Sequence, residues 1–133
     1  MNQRFILDTH AVLWYLTADA RLSSKAQAIL RDPGSLLFIP AIVVAESLYI
    51  IEHRKSPATS IQLWEFMRLS SNVLFCPLDE TILKQAETLT TIPEMPDRLI
   101  VATAICLQDQ SGASLVITKD ATITGSGLVK TLW

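Results

Sequence analysis

Basic residues are in short supply in this sequence. Eleven lysines and arginines stand against thirteen acidic residues, a formal net charge of −2, so nucleic acid is not held here by a general basic surface. A nucleic-acid ligand would have to be reached through local basic residues, a bound cation or a second subunit. Cysteine is scarce: Cys76 and Cys106 lack a CxxC spacing, which argues against a disulfide framework and for a reduced, intracellular setting. Glycines are few, and neither GxGxxG nor a glycine-lysine phosphate loop occurs, which removes dinucleotide and P-loop sites. The two histidines and two cysteines show no zinc-ligand spacing. The most apolar stretch, Leu36 to Ile51, is broken by Pro40 and carries Glu46, too short and interrupted for a membrane span. The opening MNQRFILDTH reaches an aspartate too early for a signal peptide. The chain reads as cytoplasmic, with no membrane partner.

What the sequence does have is apolar substance. Half of the 133 residues are hydrophobic and 18% are charged, which argues against disorder and for a single domain over residues 1–133 with a real core. That apolar content is high for the length, so part of it is expected to be covered by a partner. Short apolar runs at Phe5–Leu7, Leu36–Ile39 (stopped by Pro40), Val73–Phe75 and Leu115–Ile117 predict strands, with a fifth at the edge over Leu128–Leu132. Helices are predicted over His10–Leu16, Ser24–Arg31 (opened by a Ser24/Gln27 capping box), Ala41–Arg54, Thr59–Leu69, Asp79–Leu89 and from Pro96 to about Gln108. Strands alternating with helices indicate an α/β fold around a mostly parallel sheet.

Ligands of open parallel sheets bind beyond the carboxyl ends of the strands. Asp8 directly follows the first strand, and Asp120 follows Leu115-Val116-Ile117-Thr118. Either one alone could simply cap the next helix; both in this position point to a site. Glu46 lies in AIVVAESLYII, a helix apolar on most faces and therefore expected to be buried. A buried carboxylate needs a partner: an arginine such as Arg54 or Arg98, or a metal ion. Asp97, after Pro96, opens an apolar helix, where its charge also suits the helix dipole. Glu94 is one turn earlier and within reach of the same place.

Carboxylates brought together repel unless a cation lies among them. All-oxygen ligation selects hard ions, magnesium or manganese, which keep waters that a substrate phosphate can displace. Such an ion can polarise a phosphoryl oxygen and deprotonate a water. Phosphodiester hydrolysis is the natural reaction class, with Asp8, Glu46, Asp97 and Asp120 as the expected metal-holding and catalytic acids.

The segments Phe5-Ile6-Leu7-Asp8-Thr9-His10, Pro40-Ala41-Ile42-Val43-Val44-Ala45-Glu46, Pro96-Asp97-Arg98-Leu99-Ile100-Val101-Ala102-Thr103-Ala104 and Ile117-Thr118-Lys119-Asp120, in this order, resemble the PIN domain, and within it the VapC toxins of toxin–antitoxin pairs. The resemblance covers essentially the whole chain. It implies a three-layer fold with a five-stranded parallel sheet flanked by helices, a homodimer, and a magnesium-dependent endoribonuclease acting on structured RNA such as tRNA or ribosomal RNA. It also implies an antitoxin partner whose C-terminal segment wraps the toxin. The family's acids fall on Asp8, Glu46, Asp97 and Asp120, and a hydroxyl position beside the last falls on Thr118. Where many relatives carry a histidine and an aspartate ahead of the Asp-Arg pair, this chain has Ile92 and Glu94.

Among the remaining residues, His10 reads as the start of the first helix more readily than as a proton carrier, and Trp14 and Tyr15 as packing. Arg98 and Lys119 are candidates for phosphate contact or for neutralising the acids. Trp64, Phe66 and Met67 read as core or subunit interface, and Cys106 as inert packing. A haloacid-dehalogenase-type phosphatase would need an acid where His10 stands. Two other readings stay open: a PIN-fold module that binds RNA or protein without cutting, and a processing nuclease with no antitoxin.

Overall fold

The computed structural model describes residues 3–111 and 114–133, apart from the side chains of 109–111. In chain order the elements are β1 (Arg4–Leu7), α1 (Thr9–Leu16), α2 (Ser24–Arg31), β2 (Leu36–Pro40), α3 (Ala41–Glu52) and α4 (Ser60–Leu69). They continue with β3 (Val73–Cys76), α5 (Glu80–Thr88), α6 (Met95–Ser111), β4 (Ser114–Ile117), α7 (Ala121–Gly125) and β5 (Thr131–Leu132). All strand pairings are parallel, in the order β3-β2-β1-β4-β5. The fold is α/β around a parallel sheet, as its alternating apolar runs and helices predict.

The core follows from the strands. Phe5, Ile6 and Leu7 are buried in succession, and successive strand residues point to opposite faces, so both faces of the central strand are covered by helices. Edge strand β3 is different: Val73 and Cys76 are buried, but Leu74 and Phe75 are exposed.

The helix starts show local chemistry at work, and some expectations need correcting. Ser23, not Ser24, caps α2, its hydroxyl accepting from Ala26 N; the Ser24/Gln27 box does not form. A capping box does open α4, where Thr59 and Gln62 satisfy each other's backbone N–H. Pro40 is the last residue of β2, one beyond the expected end, and its φ of −63° already suits the helix that follows, so it ends the strand and occupies the N-cap position of α3 at once. Helix α3 closes at Glu52, short of Arg54, which takes a left-handed φ of 55°. Strand β5 is reduced to Thr131–Leu132, and α7 is a helix that the apolar periodicity does not predict.

This topology positions the site. The chain moves outward from β1 through β2 to β3, then returns to place β4 on the other side of β1. The carboxyl ends of β1 and β4 therefore form a switch point where the connections diverge. Leu7 is in register with Ile117, so Asp8 and Thr118 leave the sheet side by side. Helix α3 packs on α1 and α6, and α6 packs on β4 and α7, which brings Glu46 and Asp97 to the same edge. No helix among the described residues is long and apolar enough to cross a membrane.

Candidate active site

Asp8 is 8% exposed. Its Oδ1 accepts from Thr9 N at 2.6 Å and its Oδ2 from the Thr118 hydroxyl at 2.5 Å, while its own N–H donates to Ile117 O at 3.1 Å. The carboxylate is thus fixed from two sides, by the first residue of α1 and by the residue that follows β4. Burial raises its pKa; the Thr118 and Thr9 hydrogen bonds and the charge of His10 work against that rise, and Asp120 adds to it.

Thr118 is 2% exposed and works twice: it donates to Asp8 and accepts from Asp120 N at 3.0 Å. That fixes Asp120 beside Asp8. Asp120 also caps α7, its Oδ1 accepting from Ile123 N at 3.0 Å, so the capping reading and the site reading hold together. A carboxylate has lone pairs for both.

Glu46 is joined through Thr9, whose hydroxyl donates to Oε1 at 2.9 Å. Thr9 is a positioning residue that the sequence alone does not single out; the only trace of it is a hydroxyl directly after the first acid. Glu46 is half-buried, not enclosed: along α3 only Val43, Val44 and Ser47 are buried, and Ala45, Tyr49 and Glu52 face solvent. The helix is apolar without being interior. Burial raises the Glu46 pKa, with Asp8 and Glu94 adding and Thr9 and His10 opposing.

Asp97 lies in the first turn of α6. Its carboxyl is pushed up to about 6, first by partial burial and then by the charges of Asp120, Asp8, Glu94 and Glu46 in that order. The charges of the other three expected acids, and of Glu94, thus all act on Asp97.

No described ion pair neutralises them. The described salt bridges join Arg21 to Asp19 and Lys84 to Glu80, both on the surface. Neither Arg54 nor Arg98 pairs with Glu46; the Arg98 Nε instead donates to Ile92 O at 2.6 Å. Beside Asp8 and Asp120 opens a recess of about 290 Å3, lined also by His10, Ala11, Trp14 and Lys119.

Among the described residues no three His, Cys, Asp or Glu side chains stand close enough to hold an ion by themselves. A small hard ion such as magnesium is commonly bound through one or two carboxylates and keeps several waters. The donor set fits that mode: oxygen only, acids near one another, and no described salt bridge to any of them. Asp8 with Asp120 or Asp97 would hold the ion, and the remaining acids would hold its waters.

The PIN domain family model matches residues 5–124. Among solved structures, VapBC2 from Rickettsia felis bound to a DNA fragment from their promoter resembles the chain at a TM-score of 0.68 and 14% identity, covering 98% of each chain. FitAB bound to the IR36 DNA fragment resembles it at 0.61 and 16% identity, covering 96% of this chain and 93% of that one. None of the curated proteins matches the chain in sequence.

Proposed function

The chain belongs to the PIN domain family, and from that premise we propose that it is a magnesium- or manganese-dependent endoribonuclease, a single domain that hydrolyses phosphodiester bonds in structured RNA such as tRNA or rRNA. One observation carries this reading: at the β1/β4 switch point Asp8 and Asp120 share the Thr118 hydroxyl, Thr9 ties Asp8 to Glu46, and Asp97 is raised by partial burial and by the charges of all three, with no salt bridge to any of them among the described residues. A bound divalent ion would supply Lewis acidity and a deprotonated water.

The residues divide the work. Thr118 and the Thr9 amide hold both Asp8 oxygens in one orientation, so the acid is preorganised and not free to rotate. Thr9 carries the same fixing to Glu46. Asp97, at about 6, is poised to lose its proton when positive charge arrives. Asp120 is held on the far side of Thr118, so that acids flank the recess where a phosphate would enter.

The biological setting we infer is that of a cytoplasmic toxin with an antitoxin partner, acting as a homodimer. Both structural neighbours are two-component assemblies on DNA, which supports a partner protein. A small neighbouring reading frame encoding a DNA-binding protein with a basic tail would favour the toxin over a stand-alone processing nuclease. The absence of a ready-made three-acid cage among the described residues favours a second reading, a binding module that does not cut.

The purified chain incubated with structured RNA decides between them. Cleavage with magnesium that EDTA and Asp8→Asn both abolish is the expected result. Retained binding without cleavage on any structured RNA would establish the module. Expression of the chain alone should arrest growth, and Asp97→Asn should relieve the arrest; equal toxicity from both forms would contradict the mechanism.

A further inference from the structure

Beside the acids stands an aromatic wall that the metal chemistry leaves unused. His10 and Trp14 lie one turn apart on α1, their rings 5.2 Å apart between centroids and tilted by 44°. His10 is exposed and Trp14 partly so. The Lys119 ammonium lies 6.0 Å from the Trp14 ring centroid and the Arg21 guanidinium 4.7 Å. Asp19 holds Arg21 there through two contacts of 3.0 and 2.8 Å. Both rings line the recess that contains Asp8, Asp120 and Lys119. They also line a narrower one of about 80 Å3 with Asp19, Arg21 and Lys55. The wall therefore runs from the acids toward the Arg21–Asp19 pair and Lys55.

Acids alone repel a phosphodiester, and a chain of net charge −2 cannot hold one by a general field. A strand of nucleic acid is instead held by base stacking on aromatic side chains and by cations along its backbone. An acidic peptide would satisfy Lys119 but would leave the wall unused and meet Asp8 and Asp120.

We propose that His10, Trp14 and Lys119 form a nucleotide subsite for single-stranded RNA beside the acids. The base next to the scissile bond stacks on the His10–Trp14 wall, and Lys119 receives the adjoining phosphate. The proposal rests on the ribonuclease reading for the position of the scissile bond. Target loops would be engaged as unpaired nucleotides, because only an unstacked base can reach such a wall.

The test is binding of a short labelled oligouridylate, and of an abasic ribose-phosphate oligomer of equal length, to Asp97→Asn protein by fluorescence anisotropy. Adding Trp14→Ala should weaken the oligouridylate about tenfold, the scale of one lost stack. It should leave the abasic oligomer unchanged, and Trp14→Phe should restore most of the affinity. His10→Ala, at an exposed position, should show a smaller loss with the same base dependence and serves if Trp14→Ala does not fold. Lys119→Gln should weaken both oligomers and reduce the slope of log affinity against log salt by about one. Equal binding by the aromatic variants and their parent, or equal losses on both oligomers, would overturn the subsite.

The unmutated chain with magnesium, given the oligouridylate for binding and structured RNA for cleavage, separates the two proposals. Base-dependent binding of the oligouridylate without cleavage of any structured RNA would sink the nuclease reading and leave the subsite standing. Cleavage without Trp14-dependent binding would do the reverse.

Discussion

Two recesses of similar size open on opposite parts of the sheet. One, about 290 Å3, lies at the β1/β4 switch point and contains Asp8 and Asp120. The other, about 320 Å3, lies along edge strand β3 and α5, lined by Phe38, Leu74, Phe75, Ile82 and Leu107 among others. The second has one acid, Asp79, which is exposed and spent on capping α5 at Ile82 N, 2.9 Å away. Volume does not distinguish them; the state of their polar groups does. Around β3 the one acid is spent on a helix cap while Leu74 and Phe75 are exposed, Phe75 at 52%, whereas at the switch point burial and neighbouring acids raise the pKa of Asp8 and Asp97. Such repulsion costs stability and persists where function needs it.

That contrast can be broken by mutation, and the largest effect should fall on activity at the switch point. Asp8→Asn should lower RNA cleavage by about a thousandfold, several kcal/mol of lost transition-state stabilisation, measured as kcat/KM with saturating magnesium. At the apolar recess the sign of the comparison reverses. Ile82→Ala should cost about 2–3 kcal/mol of stability in denaturant unfolding and leave divalent-ion affinity unaltered.

Thr118→Val is an intermediate case. It should reduce metal affinity or activity by about 10- to 100-fold, as loss of a group that orients a ligand does. Thr118→Ser should recover much of this, which a packing defect would not predict.

The smallest effect is on stability against pH. Asp97 has a folded pKa of about 6, above its ordinary 3.8. A carboxyl raised on folding destabilises the protein wherever it is charged in the unfolded chain, and the penalty starts to shrink as pH falls past the folded value and is gone below the ordinary one. Without divalent ions, the chain should therefore gain stability between about pH 7 and pH 5, by a few tenths of a kcal/mol after discounting for solvent screening. Thermal unfolding of Asp97→Asn should show a flatter profile over that range.

Much of the switch point was legible because its acids follow apolar runs. Phe5-Ile6-Leu7 and Leu115-Val116-Ile117 read as buried strands, and an aspartate just beyond each has few places to go. What stayed hidden depends on tertiary geometry. The link from Asp8 through Thr9 to Glu46 spans 37 residues between Thr9 and Glu46 and leaves no periodic trace. Helix α3 looked interior because its residues are apolar, yet Tyr49 is 58% exposed; hydrophobicity reports preference, not the presence of something to pack against. Adjacent serines misled the start of α2, since Ser24 with Gln27 matches a capping box while Ser23 has the extended backbone that a cap requires. Helix α7, five residues long, is too short for any apolar period to register.

Calorimetric titration of manganese into the purified chain at pH 6, repeated in buffers of different ionisation heat, addresses the acids most directly. Ion uptake should release about half a proton, supplied by Asp97 near its midpoint, and Asp8→Asn should abolish uptake. No binding at millimolar manganese, or undiminished binding by Asp8→Asn, would show that these carboxylates meet for some purpose other than holding a cation.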